Sequence, residues 1–397
     1  MSLDSSDSTK IAVLIETSTA YGRGLLRGIS RYAVSQSNWS LYLKPSGKDG
    51  ALSHLKDWNV DGLLVRVHDR RLADRVLSAG IPAVDLGYAI PDLFPWKITN
   101  DQQQVGQLAA EHLLGCGLKH FAFCGWGPAH PTARVWEQAR LQSFRKRLAK
   151  CGYDAHAYEW PQRATERTWS KARKHLAAWL RALPKPVGVM AANDERALEL
   201  LDAAHSAGLA VPAEIALIGV DNDEVLCEAT SPNLSSVALN LEQIGHTGAA
   251  LLHRLIRGRS YPRRPIHVSP LGVVARASTD VVATDDEIVV TAIRYIHQHI
   301  HQRLNVADVL KAVAVSRKTL EVRFSATIGR TPYEEIIRRR ILRVKELLIH
   351  TDWPLKRIAQ QSGFPHLENL HNVFRREVGQ TPGGFRAQHS ASLGGSL

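Results

Sequence analysis

Short apolar runs alternate with amphipathic stretches along the first 280 residues. IAVLIE (11–16), WSLYL (39–43), GLLV (62–65), AVDL (83–86), HFAFCG (120–125), VGVMAA (187–192) and IALIGV (215–220) have the length and continuous apolar character of strands buried on both faces. Stretches with helical periodicity separate them, at 22–35, 70–78, 101–116, 135–151 and 194–208. This alternation predicts parallel sheets covered by helices on both faces. Roughly nine strands over about 270 residues exceed one core, so two lobes are expected.

From 288 onward the pattern becomes wholly helical and repeats itself. VADVLKAVAVSRKTLEVRFSATIGRTP (306–332) and PLKRIAQQSGFPHLENLHNVFRREVGQTP (354–382) each give a short helix, a turn, a second helix with apolar residues four apart, and G-x-T-P. Leu320 and Phe324 match Leu370 and Phe374, offset by 50 residues. Two helix-turn-helix units account for this echo. Ser316 is placed to cap a helix over 317–327, with Leu320 and Phe324 inward and Arg317, Lys318, Glu321 and Val322 outward. Pro354 is expected in the first turn of the second unit, and Ser362-Gly363-Phe364 supplies its turn. Leu370 and Phe374 would be buried there, with Glu368, Asn369 and Asn372 exposed. A long helix over 332–350 joins the units and carries a basic patch, Arg338, Arg339, Arg340, Arg343 and Lys345.

Charge sharpens this picture. The 397 residues carry a formal net charge of +12. Residues 288–397 hold 17 Lys plus Arg against 8 Asp plus Glu, whereas 1–287 hold 33 against 30. A basic helical segment points to a polyanion partner, with duplex DNA first. Helices so displayed fit the major groove, where Arg and Lys read guanine, Asn adenine, and Glu accepts from cytosine. Arg375, Arg376 and Arg386 suit phosphates. No stretch approaches 18 apolar residues, so no membrane partner is expected. The four cysteines show no ligand spacing and imply buried thiols in a reducing compartment, hence a cytoplasmic protein. MSLDSSDSTK lacks an apolar run and reads as a polar tail over 1–9, with another over 389–397.

In parallel α/β folds, ligands sit beyond the C-terminal ends of strands. Polar clusters follow several strands here: Glu16-Thr17-Ser18 with Tyr21 and Arg23, then 126–134, Asn193-Asp194 and Asp221-Asn222-Asp223. Asp221 and Asn222 offer acceptors and a donor, Arg23 and Arg140 offer forked donors, and Trp126 or Trp136 could stack on a sugar ring. Capping alone would also explain Asn193 or Asp194. Catalytic chemistry finds little support. Gly22-Arg23-Gly24 and Gly28 do not complete a dinucleotide fingerprint, and no nucleophile elbow or zinc-protease motif occurs. His297, His299 and His301 alternate along a predicted helix and diverge, so no metal site or cofactor is expected.

The first 280 residues resemble the LacI-type, periplasmic-sugar-binding family. The resemblance rests on Asn193-Asp194 after a strand, IGVDND (218–223), SPNLSSV (231–237) and R-x-S-T at 276–279. It implies that Asp221, Asn193 or Asp194, and Arg140 bind a sugar. Residues 288–386 resemble the AraC-type transcriptional regulators, on S-x-x-x-L-x-x-x-F at 316–324 and the Gly-Phe to Arg run at 363–386. That resemblance places base contacts on Lys318, Glu321, Val322, Glu368, Asn369 and Asn372. Leu370 stands where the family usually has phenylalanine, and Val322 where a groove-reading arginine is frequent. Together they imply an α/β two-lobed sensor at 10–280, a linker at 281–287, and an all-α double helix-turn-helix domain at 288–388. The implied protein is a non-enzymatic, sugar-responsive activator, working as a homodimer on direct-repeat half-sites with RNA polymerase. The rare pairing of these two families implies D-xylose or a similar pentose as effector. The alternatives are a regulator of the same architecture sensing another sugar and, after it, a non-enzymatic sugar-binding protein without a DNA role.

Overall fold

The structure, a computed structural model, describes residues 8–36, 38–43, 59–90, 93–126, 134–158, 169–281 and 286–390. Residues 1–7, 282–285 and 391–397 of the expected tails and linker lie outside these, as do 127–133 of the polar cluster at 126–134. The chain divides into two compact units, one spanning nearly all of 1–281 and the other 282–397.

The first unit opens with β1 (Thr9–Leu14), α1 (Ala20–Ser35), β2 (Trp39–Leu43), β3 (Gly62–Val65), α2 (Arg70–Ser78), β4 (Ala83–Asp85) and β5 (Ile98–Asn100). There follow α3 (Gln102–Gly115), β6 (His120–Cys124), α4 (Arg134–Ala149), β7 (Ala155–Ala157), α5 (Trp169–Ala182), β8 (Val187–Ala191), α6 (Asp194–Ala207), β9 (Ile215–Asp221), α7 (Glu224–Ala229) and β10 (Ser235–Ala238). It closes with α8 (Leu241–Ile256), β11 (Ile266–Val268), β12 (Gly272–Val274) and a 3-10 turn at Ala277–Thr279.

These strands form two main sheets, ordered β2-β1-β3-β4 and β12-β10-β9-β8-β6-β7. Every pairing is parallel except β10 with β12, where Ser236 faces Val274 in an antiparallel edge. Each sheet defines a lobe with its own apolar core. Leu14, Leu63, Val65, Leu72 and Phe94 belong to one. Leu176, Leu180, Val189, Leu200 and Leu217 belong to the other. The chain passes between lobes after β5, between β10 and α8, and between β11 and β12. β5 and β11 pair side by side, and the Leu271 N–H donates to Ala238 O at 2.8 Å. Three adjacent crossings make a hinge that can absorb lobe closure.

Side-chain caps set the helix starts: Asp69 accepts from Leu72 N at 2.7 Å and Asn193 from Arg196 N at 3.1 Å. The early glycines have a packing reason. A Cβ on Gly28 would stand 2.0 Å from Glu242 O, and one on Gly245 2.0 Å from Leu25 O, so α1 and α8 cross with backbones in contact.

The second unit contains α9 (Glu287–His299), α10 (Val306–Val313), α11 (Arg317–Ile328), α12 (Pro332–His350), α13 (Leu355–Gln361), α14 (Leu367–Val378) and α15 (Pro382–Ser390). It has two cores. Leu320, Phe324 and Val309 pack with α9 and Ile336, while Leu370, Phe374, Ile358 and Phe385 pack with Ile337, Ile341, Val344 and Leu348. Adjacent residues of α12 therefore serve different cores, which makes that helix the spine of the unit.

Candidate sensor cleft and DNA-reading helices

A cavity of about 450 Å³ opens between the lobes. Strand ends supply much of its wall, as a parallel fold requires. Leu14 ends β1 and Glu16 follows it, Arg66, Val67 and His68 follow β3, Gly87 and Tyr88 follow β4, Trp126 follows β6, and Asp221 ends β9. Tyr21 of α1, Gln102 of α3 and Trp136 with Arg140 of α4 complete it, together with Asn193 and Glu195.

The cavity is wired around Arg140. This guanidinium is 3% exposed, donates to Gln102 Oε1 at 2.7 Å and to Ala192 O, and stacks over Trp136 at 4.6 Å. Burial lowers its pKa, while the nearby Asp221 carboxylate counteracts that. Burial pushes Asp221 up to about 6, with Arg140 and Arg66 opposing the shift. On the opposite wall the Tyr21 hydroxyl donates to Leu86 O at 3.3 Å and accepts from Asn100 Nδ2 at 3.2 Å. Its ring lies under Arg66, 4.4 Å from the guanidinium carbon, and burial raises its pKa to about 12. Tyr21 thus presents a neutral hydroxyl. Asn193 Oδ1 is occupied twice, as the α6 cap and by Trp126 Nε1 at 3.0 Å. Aromatic faces beside carboxylates and cationic donors suit a small polyhydroxylated ring.

Three of the predicted ligand contacts do not line the cavity. Asp194 is 1% exposed and lies beneath the turn after β9. Its carboxylate accepts from Asp223 N at 2.8 Å and Ser236 Oγ at 2.6 Å, and Ser236 Oγ accepts from Asn222 N at 3.0 Å. These bonds hold Asp221 and Asn222 at φ 110° and 52°, a backbone that non-glycine residues rarely adopt. Asp194 therefore braces the turn that aims Asp221. Burial, followed by Asp221's charge, raises Asp194 to about 8. Asn222 contributes its backbone to this turn. Arg23 donates to Ser18 O at 2.6 Å and pairs with Asp223 at 3.3 Å, bridging the lobes outside the cavity.

Arg66, His68, Tyr88, Gln102 and Glu195 also line the cavity. They lie outside the polar clusters singled out in the sequence, and only tertiary packing gathers them. Among the described residues no cluster of His, Cys, Asp or Glu could hold a metal ion. His299 stacks on Tyr295 at 4.1 Å, and the His297 side chain lies outside the described residues. Cys124 and Cys227 are buried thiols, but Cys151 is exposed, contrary to expectation.

In the second unit, Ser316 caps α11 by accepting from Thr319 N at 3.1 Å. Arg317, Lys318 and Val322 are exposed, and Glu321 pairs with Arg317 at 2.9 Å. Pro354 is the N-cap of α13, one position earlier than expected. Gly363 has φ 72°, and a Cβ there would meet Gln302 O at 2.4 Å, so this turn demands glycine. Glu368, Asn369, Asn372, Arg375 and Arg376 are exposed on α14, opposite buried Leu370 and Phe374.

The expected basic patch on α12 is largely internal. Glu335, fully buried, accepts from Arg330 at 2.7 Å, Arg338 at 2.7 Å and Arg339 at 2.9 Å. Arg340 donates to Leu304 O at 2.7 Å. Arg386, assigned to phosphate, donates to Trp353 O at 2.7 Å and fastens α15. These cations tie the unit together, because a buried guanidinium must find a carboxylate or carbonyl partner.

A two-lobed periplasmic-binding-type sensor followed by tandem helix-turn-helix units defines a DNA-binding transcription regulator with a sugar-binding domain. Family profiles agree: a "XylR N-terminal domain" matches 10–98, a "Periplasmic binding protein-like domain" 110–279, and a "Helix-turn-helix domain" 309–388. The chain is 31% identical over 386 residues to the "Xylose operon regulatory protein" of Escherichia coli, covering 96% of this chain and 97% of that one. The Haemophilus influenzae protein of that name is 31% identical, with 95% and 98% covered. A solved structure, of the "xylose-binding transcription activator xylR", superimposes with a TM-score of 0.68 at 30% identity, covering 96% and 98%. The chain belongs to the xylose operon regulatory protein family. No helix among the described residues is long and apolar enough to cross a membrane.

Proposed function

We propose that the protein is a D-xylose-responsive activator of pentose-use genes, cytoplasmic and without catalytic activity. The carrying observation is the cavity of about 450 Å³ that sets Asp221, Arg140 and Tyr21 beside Trp126 and Trp136. Its size and mixed lining suit a pentose, and the similar solved structure is that of a xylose-binding transcription activator. Asp221 accepts from two sugar hydroxyls, Arg140 and Asn193 donate, and a tryptophan covers the apolar ring face.

Sugar bound to both walls draws the lobes together about the three-stranded hinge. The ligand favours this state only by its greater affinity for it. Closure changes how two copies associate and where they set their reading helices on direct-repeat half-sites. Doubling the contacts raises affinity and fixes spacing. RNA polymerase is the expected partner at the promoter. On α11, Lys318 and Glu321 read bases while Arg317 supports them. On α14, Glu368, Asn369 and Asn372 read bases and Arg375 and Arg376 hold phosphates.

Calorimetric titration with D-xylose, L-arabinose, D-ribose and D-glucose tests the assignment. D-xylose is expected to bind most tightly. Binding of a hexose alone, or of none of the four, would overturn it.

A further inference from the structure

We infer that the sensor unit carries its own surface for the phosphate backbone of DNA, formed by Arg254, Arg257, Arg259, Arg263 and Arg264. No Asp or Glu occurs anywhere from 243 to 279. Residues 254–264 contribute five positive charges, and the rest of 1–287 holds 28 Lys plus Arg against 30 Asp plus Glu. The whole positive excess of the sensor thus sits at the C-terminal end of α8 and in the segment leading to β11.

All five side chains are exposed, and none has a carboxylate partner among the described residues. Six arginines elsewhere in the unit behave differently: Arg23, Arg31, Arg145, Arg147, Arg173 and Arg196 each pair with an acid. The segment is also anchored. Trp96 Nε1 donates to Tyr261 O at 3.3 Å, Arg254 lies 5.5 Å over Tyr261, and Arg263 lies 5.8 Å over Trp96. Arg257 and Arg259 converge on one corner, where both lower the pKa of His253 after burial has done so.

Exposed guanidiniums of one sign without acid partners attract a polyanion and bind its phosphates without reading sequence. The partner is DNA because the helix-turn-helix unit of the same chain already holds a duplex, which raises the local concentration of further phosphates. This rests on the family's DNA-binding role and adds a contact outside it.

The test uses the full chain, the variant R257S/R259S/R263S/R264S, and the charge-preserving variant R257K/R259K/R263K/R264K. Each is titrated against a random duplex of about 60 base pairs over a range of salt, giving the slope of log Kobs against log salt, about −0.9 for each phosphate neutralised. The serine variant is expected to lose about 2 to 4 from the magnitude of that slope, and the lysine variant to retain it. Thermal melting checks that both variants fold, and protection of the specific site reports on the helix-turn-helix unit separately. An unchanged slope in a folded serine variant overturns the inference. So does loss of binding to phosphatidylserine vesicles with no change toward DNA, which would assign the patch to membranes instead.

Discussion

Sugar affinity should fall as pH drops through the titration of Asp221. In the empty cleft, burial holds this carboxyl near pH 6 against the favourable charges of Arg140 and Arg66. The ionised form accepts from sugar hydroxyls through the stronger, charge-assisted bonds, so below that pH tight binding must first displace a proton. A full unit below it, binding costs about 1.4 kcal/mol more, a tenfold loss. The sign follows from linkage: a group whose pKa is raised in the empty site, and lowered again by bound hydroxyls, releases protons on binding. D-xylose affinity is therefore expected to be level at pH 7 to 8, and to fall about tenfold by pH 5. Calorimetry near pH 6 in buffers of different ionisation enthalpy should detect proton release. Asp221→Asn should bind more weakly than wild type at pH 7 to 8, by roughly 10- to 100-fold for lost charge-assisted bonds, and its affinity should not vary with pH. A wild-type affinity that stays level down to pH 5 would refute this assignment of Asp221.

Other substitutions separate sensing from reading. The Arg23–Asp223 pair is partly exposed, so it contributes at most about 1 kcal/mol; Arg23→Ala should weaken D-xylose binding up to about fivefold, and high salt should do the same to wild type alone. Phe374→Ala removes a fully buried ring from the second core, and is expected to cost about 3–5 kcal/mol in denaturant melts of that unit. Glu335→Gln should cost a similar 3–5 kcal/mol because Arg339 is left buried without its carboxylate. Asn369→Ala should relax base preference at one operator position, whereas Arg375→Ala should weaken binding alike on all sequences and lower the salt slope by about 1. Selection from a randomised operator would check that contrast.

The long strands and both helix-turn-helix units were legible because their apolar spacing survives without tertiary information. The three-residue strands at 98–100, 155–157, 266–268 and 272–274 were not legible, since pairing rather than local pattern makes them. Strand 235–238 was hidden by its serines. They are fully buried because Ser235 Oγ donates to Arg276 O at 3.0 Å and Ser236 Oγ reaches Asp194. Polar residues after strands drew attention to Tyr21, Asn193 and Asp221, which line the cavity. The same rule could not tell Asp221 from Asp194. One faces the cavity and the other braces it, and only the turn between β9 and α7 decides which. Arg338, Arg339 and Arg340 looked like an exposed patch because Glu335 is a single letter beside them. Conversely, the five arginines at 254–264 were visible throughout, but vanished into a nearly neutral average over 1–287.

The central claim is that sugar in the cleft governs the reading helices of the same chain. The most direct measurement is DNA affinity of the full chain, by fluorescence anisotropy on its promoter region, with and without saturating D-xylose. The account predicts tighter binding with sugar, by about 5- to 150-fold for a typical coupling, and no such change in Asp221→Ala. Equal affinity with and without D-xylose, in a protein shown to bind the sugar, would contradict it.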